Sequence, residues 1–285
     1  MDVSILTQKE SFLELVTEKL GKIPLDYVEK LANVSRLGHE GWRTAGVLVL
    51  LHYKPGESSS PESGEFYFQL IKRSAAVPQP GDLSCPGGTI HPIMDRMLSL
   101  LISHPVLPFM RGTARKYTKE KSRDVIRATS LFLATALRES WEEVRLSPFN
   151  VRFLGALPSS DLPKFRMSIF PVVGFVKRQW SCRPNWEVDK VVEIPLRAFC
   201  RFENYGTMKL EMLTPLRASE ERIRTVSCFF VEDGPGKDEV LWGSTLDILL
   251  QFFRIVFSYE PHNFKMGKAI KRSISENYIT GNTTV

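Results

Sequence analysis

The chain has 285 residues, of which 43% are hydrophobic and 25% charged, with a net charge of +6. That length buries a sizeable core as one large domain or two small ones, and the composition is that of an ordinary soluble globular protein. The positive excess is spread along the chain with no run of five like charges, which favours anionic ligands such as phosphate esters and argues against a nucleic-acid partner.

Four cysteines, Cys85, Cys182, Cys200 and Cys228, are far apart and form no CxxC pair. They read as reduced thiols of a cytoplasmic protein, and no zinc site is implied. The N-terminal MDVSILTQKESFLELV lacks a basic region followed by an apolar core, so no signal peptide is expected. No stretch reaches 18 apolar residues, so neither a transmembrane helix nor a membrane partner is expected.

In chain order, residues 8–34 read as helical, with Phe12, Leu13, Leu15, Val16 and Leu20 at helical spacing and a second short helix after Pro24. The apolar run 43–53 suits a buried strand. The alternating segment 66–74 suits its hairpin partner across a Gly/Ser/Pro-rich loop. Residues 75–90 are rich in Pro and Gly and end in CPGGTI. Residues 91–126 begin apolar and become basic. A helix then runs from about Asp124 to Leu146, before Pro148. Strands are expected at 151–157, 169–176, 190–194 and 224–231, and a closing helix at 244–257. The polar stretch 260–285 reads as a poorly ordered tail. Mixed strands and helices without a long linker give an α/β fold.

The segment ATALRESWEEVRL, residues 134–146, carries the chemistry. At 100° per residue, Ala134, Leu137, Trp141 and Val144 share an apolar face. Glu139, Glu142 and Glu143 fall on roughly the opposite side. Arg138 and Glu142 are spaced to pair along the helix. Three carboxylates this close repel one another unless cations neutralise them. Hard divalent cations such as Mg²⁺ or Mn²⁺ prefer such oxygens and leave positions for water and phosphate. Alone, the string is equally an ordinary solvated acidic face, because Glu is a good helix former.

Its context carries a resemblance. RESWEEVRL, together with the upstream Pro86-Gly87-Gly88, resembles the Nudix box. The surrounding blocks resemble the coenzyme A pyrophosphatase-like branch of the Nudix hydrolases. These blocks are IKRSAAVPQPGDLSCPGG, TALRESWEE, FPVVGFV, NWEVDKVVEIPL and LWGSTLDILL, ordered over about residues 43–257. The resemblance implies a Nudix-type α/β/α sandwich with a mixed β-sheet. It divides the chain into an N-terminal helical extension (1–40), a Nudix domain (41–258) and a C-terminal tail (259–285). It implies Glu139, Glu142 and Glu143 as metal ligands, with Glu139 alternatively activating water. Gly88 lends a backbone carbonyl, and Arg138 orients the carboxylates. Lys72 and Arg73 become candidates to hold phosphates, and Glu187 a catalytic or supporting acid. Trp242 reads as core rather than as a base-stacking residue.

Three features depart from the box. Gly88 and Arg138 stand 50 residues apart, so about 35 residues, roughly His91–Ile126, are inserted in the loop that should wrap the metal site. Ser130 stands where the first box Glu is expected, eight residues before Arg138. Arg145 replaces a helix-ending Gly, which costs roughly 1 kcal/mol if the left-handed conformation is kept. The expected activity is Mg²⁺- or Mn²⁺-dependent hydrolysis of a nucleotide-linked diphosphate, with coenzyme A or acyl-coenzyme A as the implied substrate. ADP-ribose, NADH and nucleoside triphosphates are alternatives, as is a catalytically inactive binding module. A homodimer is compatible with this reading.

Overall fold

The computed structural model describes residues 4–37, 41–56, 64–104, 114, 117, 120–212, 223–232, 238–260, 268–274 and 278. Helix α1 spans Lys9–Lys22 and α2 spans Tyr27–Leu37. Strands β1 (Arg43–Lys54) and β2 (Glu65–Arg73) pair antiparallel as the expected hairpin, with Leu50 opposite Gln69. Short strands β3 (Leu83–Ser84) and β4 (Gly87–Thr89) flank the Cys85-Pro86 turn. Helix α3 is Met94–Ser103 and α4 is Arg123–Val144. Strands β5 (Val151–Ala156), β6 (Ser160–Leu162), β7 (Met167–Val176) and β8 (Val188–Pro195) follow. Then come β9 (Tyr205–Met212), β10 (Ile223–Glu232), β11 (Asp238–Trp242), helix α5 (Gly243–Phe257) and β12 (Lys268–Ile274).

The larger sheet is mixed and, among the described residues, has eight strands. Its main path is β3-β2-β1-β7-β5, with β4 on β1, β6 on β7 and β8 on β2. Strands β1 and β7 run parallel at its centre. Successive residues of a strand face opposite sides, and both faces of β1 are apolar, as its sequence predicts. Val49 and Leu51 join Phe12, Leu13 and Val16 of α1 and Leu249, Phe252 and Phe253 of α5 in one core. Leu48 and Leu50 join Phe132, Leu133 and Leu137 of α4 in the other. The result is the expected α/β/α sandwich.

Three expectations change. Of the N-terminal extension expected at 1–40, the described residues 4–37 contribute to the core, with Phe12, Leu13, Val16 and Tyr27 fully buried. The C-terminal tail is not unstructured throughout. Strand β12 pairs parallel with β9 in a second sheet of order β11-β10-β9-β12. Its polar sequence is misleading because Arg272, on the inward side, is neutralised by Asp82, with its Nη1 2.6 Å from Oδ1. The remainder of the tail lies outside the described residues, apart from 260 and the buried Tyr278. Third, the apolar face of α4 is centred elsewhere. Ala134, Leu137 and Val144 are buried, but Trp141 is 45% exposed under the Arg145 guanidinium. Phe132 stacks on Phe170 of β7 with ring centroids 3.8 Å apart, and Ala136, Ser140 and Val144 are buried.

Within 91–126, α3 packs on α4 and leaves Met97 and Leu100 exposed on its outer side. Most of residues 105–119 lie outside the described residues.

Candidate active site

The site forms where the C-terminal third of α4 meets the start of β4, just after the turn that leaves β3. Ser122 caps the helix, its Oγ accepting from the Val125 N–H at 3.3 Å. The far end closes at Arg145, which adopts φ 57° and ψ 31°. The helix-ending conformation is therefore kept without glycine, with the Arg145 N–H donating to the Trp141 carbonyl.

Two glycines open β4, and the close approaches around them use their bare backbone. Gly87 has φ 152°, and a Cβ there would sit 2.4 Å from the Gly46 carbonyl oxygen. A Cβ on Gly88 would sit 2.4 Å from Glu139 Oε1. Only a bare backbone lets the carboxylate approach this closely. The Gly87 N–H donates to Glu143 Oε2 at 3.0 Å, and Glu143 is buried. The structure thus brings Glu139 and Glu143, one turn apart on α4, against the same dipeptide.

Arg138 organises the rest. Its Nη1 donates to Glu142 Oε2 at 3.1 Å and its Nη2 to Glu139 Oε1 at 2.9 Å. Nη2 also reaches the Thr89 carbonyl at 3.2 Å. The other edge grips Asp95 of α3, from Nε to Oδ1 at 2.7 Å and from Nη2 to Oδ2 at 3.2 Å. Asp95 is fully buried. Sequence reasoning missed it because nothing in the spacing of α3 marks one acid within a mostly apolar helix. The available signal was position: Asp95 lies seven residues beyond Gly88. Ser130, where an acid was expected, is buried among core residues.

Glu187 ends the loop between β7 and β8, which returns beside the C-terminal end of α4. The Asn185 N–H donates to the Glu143 carbonyl at 2.8 Å, and the Asn185 side-chain oxygen accepts from the Glu187 N–H at 2.9 Å. Glu187 lies near enough to raise the proton affinity of both Glu139 and Glu143. Lys72 and Arg73 part company. Lys72 Nζ pairs with Glu239 Oε1 at 2.8 Å, across the sheet from α4. Arg73 Nε donates to the Pro78 carbonyl at 2.7 Å, while its charge still draws the Glu143 carboxyl down. Trp242 is half-buried, and its Nε1 donates to Asp82.

Burial pushes the Glu143 carboxyl up to about 8, against the Gly87 N–H and with the help of Glu139. Burial also raises Glu139; Arg138 opposes this, and Glu142 and Glu187 add to it. Burial works against the charge of Arg138, yet Asp95, Glu139 and Glu142 outweigh it and hold the guanidinium above its ordinary value. Carboxyls raised chiefly by burial, with neighbouring carboxylates adding to the effect, mark a candidate functional site.

These observations test the fit of a divalent cation. The donors are hard carboxylate oxygens, they crowd the start of β4, which glycine keeps clear, and burial disfavours their charge. That chemistry suits an ion that prefers oxygen ligands. Among the described residues no three His, Cys, Asp or Glu side chains converge as a metal-holding group, because Glu139 and Glu142 turn towards Arg138.

No family model matches the chain. A 120-residue stretch is 31% identical to the uncharacterized Nudix hydrolase NudL of Pectobacterium atrosepticum and covers 42% of this chain. The chain spans 56% of the length of that relative. Solved structures give fainter likenesses. A C. elegans Ap4A hydrolase is 13% identical over 54% of this chain and 81% of its own, with a TM-score of 0.33. A NUDIX hydrolase from Alicyclobacillus acidocaldarius is 15% identical over 55% and 81%, with a TM-score of 0.35. The NUDIX domain of Shewanella oneidensis NrtR is 15% identical over 60% and 84%, with a TM-score of 0.32. Likenesses of that size carry no argument about chemistry, and it is the sequence match to NudL that supports a relationship between this chain and the Nudix hydrolases.

Proposed function

We propose that this chain hydrolyses a diphosphate bond in a nucleotide-linked substrate, with Mg²⁺ or Mn²⁺ bound at Glu139, Glu142 and Glu143. The single observation that carries the reading is the packing of Glu139 and Glu143 against Gly87 and Gly88, with both carboxyls raised. The preferred substrate is coenzyme A or acyl-coenzyme A. Support for it comes from the ordered blocks that resemble the coenzyme A pyrophosphatase-like branch, from which the roughly 35 residues inserted between Gly88 and Arg138 depart.

When bound, the cation polarises a phosphoryl oxygen and acidifies a water. The chain's own groups do the rest. Glu139 accepts a proton from the attacking water, and its placement is set by Arg138 Nη2 and by the absence of a side chain at Gly88. Glu143 is fixed by the Gly87 N–H, and Glu142 is steered by Arg138 Nη1. Arg73 supplies positive charge beside Glu143 for a phosphate. Water adds to one phosphorus and the bridging oxygen leaves with the other phosphate. Coenzyme A thereby yields adenosine 3′,5′-bisphosphate and 4′-phosphopantetheine.

The test is product release from coenzyme A, ADP-ribose, NADH and nucleoside triphosphates with Mg²⁺ or Mn²⁺, using Glu142→Gln as control. Coenzyme A is expected to turn over fastest, with loss in the control. No turnover of any substrate sinks the enzyme reading. A faster second substrate sinks the coenzyme A assignment alone.

A further inference from the structure

We infer that the larger sheet carries a second ligand site, a pocket that takes a neutral, flat heterocycle bearing an amino group, the chemistry of an aminated nucleobase. None of Glu139, Glu142 and Glu143 lines the pocket, and its occupancy does not depend on the hydrolytic reading.

The floor is made where three strands lie side by side. His52 of β1 stands opposite Tyr67 of β2, and Tyr67 and Gln69 stand opposite Pro195 and Glu193 of β8. Residues paired across strands share a face, and so do residues two apart along one strand. His52 therefore lies on the side of Leu50, which packs in the core with α4. The helix ends at Val144, and its cover of the sheet ends there. The loop after β7 takes over. Trp180 Nε1 donates to the Val144 carbonyl at 3.3 Å, and the indole meets the His52 ring edge-on with centroids 6.5 Å apart. Between floor and loop lies a cavity of about 670 Å³. That is within the roughly 300–1,000 Å³ of ordinary small-molecule sites. Tyr67 stands five residues from Lys72 along β2, roughly 17 Å away, so the cavity lies at the far end of the strand from the candidate active site.

The lining selects the ligand. Gln69 is 8% exposed, its Nε2 donates to Glu193 Oε1 at 3.4 Å, and no donor among the described residues reaches its Oε1. A buried acceptor without a donor is costly, and the amino group of a ligand relieves that cost. His52 Nδ1 is a second buried polar atom of this kind. It lies 3.4 Å from Glu193 Oε1, within reach of its charge but outside hydrogen-bond geometry. Lys54 pairs with Glu193, so the lysine of the lining is not free for a phosphate, and the exposed Glu232 at the rim repels one. That leaves a neutral ligand. One face of the Tyr67 ring carries the Lys54 ammonium, 4.9 Å from its centre. Trp180, half-buried and tied to the end of α4, is then the ring on which a flat base stacks.

The probe is adenosine, which has an amino group and no phosphate. Its counterpart is N6,N6-dimethyladenosine, whose amino group has no hydrogen to donate. Calorimetry on the wild-type chain gives the affinity. Cys182 gives the place, because its half-buried thiol borders the cavity and its alkylation rate at alkaline pH reports cover. Cys200, also half-buried but outside the lining, is the internal control. At about ten times its Kd, adenosine is expected to slow alkylation of Cys182 about 10-fold and to leave Cys200 unchanged. N6,N6-dimethyladenosine on the wild type, and adenosine on Gln69→Met, are each expected to bind about 10-fold more weakly or worse. Circular dichroism reports whether Gln69→Met folds. If it does not, the two nucleosides on the wild type decide.

Absence of adenosine binding overturns the site. Binding that leaves the Cys182 rate unchanged overturns it as well, because the nucleoside then sits elsewhere. Equal affinity for the two nucleosides, or wild-type affinity in folded Gln69→Met, overturns the recognition of an amino group by Gln69.

Discussion

Glu143 is a carboxyl whose charge the fold resists. Its ordinary value of 4.5 rises to about 8 in the folded chain because it is buried beside Glu139 and near Glu187. Between those values the folded chain holds a proton that the unfolded chain has released. Stability from this group therefore falls as pH rises from about 4.5 to about 8 and levels off above. In chelator, Glu143→Gln should remove that slope and leave the variant more stable than the wild type above about pH 8. Thermal melts across the range check this, and parallel profiles for the two proteins would contradict it. Cys85 sits in the same turn, one residue before Pro86, and burial pushes its thiol up to about 12. It should resist alkylation in the native state at pH 8 and react on unfolding, as mass mapping of iodoacetamide labelling would show.

At the scale of elements, α4 depends on its two ends and on the turn it faces. Loss of the Ser122 cap in Ser122→Ala should cost about 1 kcal/mol, read from the denaturant midpoint. An effect within about 0.2 kcal/mol would mean that another group satisfies the Val125 N–H. Gly87→Ala places a Cβ against the backbone of Gly46 and Val47 at a strained φ. It should both destabilise the chain and shift the N–H that holds Glu143. The expected result is a lower melting temperature with weakened Mn²⁺ binding, and a fully wild-type variant would contradict the close packing of β4 on β1. The elements that local sequence revealed are those whose patterning is self-contained. The apolar run of β1, the alternation of β2 and the helical stretch of α4 are visible without knowing their neighbours. β9, β11 and β12 were not visible, because their stability comes from pairing with distant segments. Arg272 reads as a solvent residue until Asp82, 190 residues away in sequence, supplies its partner.

For the whole molecule, the sandwich sets the site in place by gripping α4 between the sheet and α3. The acidic segment was legible as chemistry, since Arg138, Glu139, Glu142 and Glu143 stand together on one helix. The direction of each side chain was not. Glu143 reads as one of three equivalent surface acids, yet contact with the Gly87 N–H buries it. Asp95 carries no mark in the sequence beside Arg96, yet it closes the network around Arg138. Lys72 and Arg73 read as a pair, yet Lys72 pairs with Glu239 while Arg73 binds the Pro78 carbonyl. What the chain does as a unit is tested most directly by the Mn²⁺ dependence of coenzyme A hydrolysis in the wild type, Glu139→Gln and Glu143→Gln. The account predicts turnover that saturates with Mn²⁺, stops on chelation and drops by about 100-fold or more in both variants. Turnover that survives chelation, or that is unchanged in both variants, would contradict it.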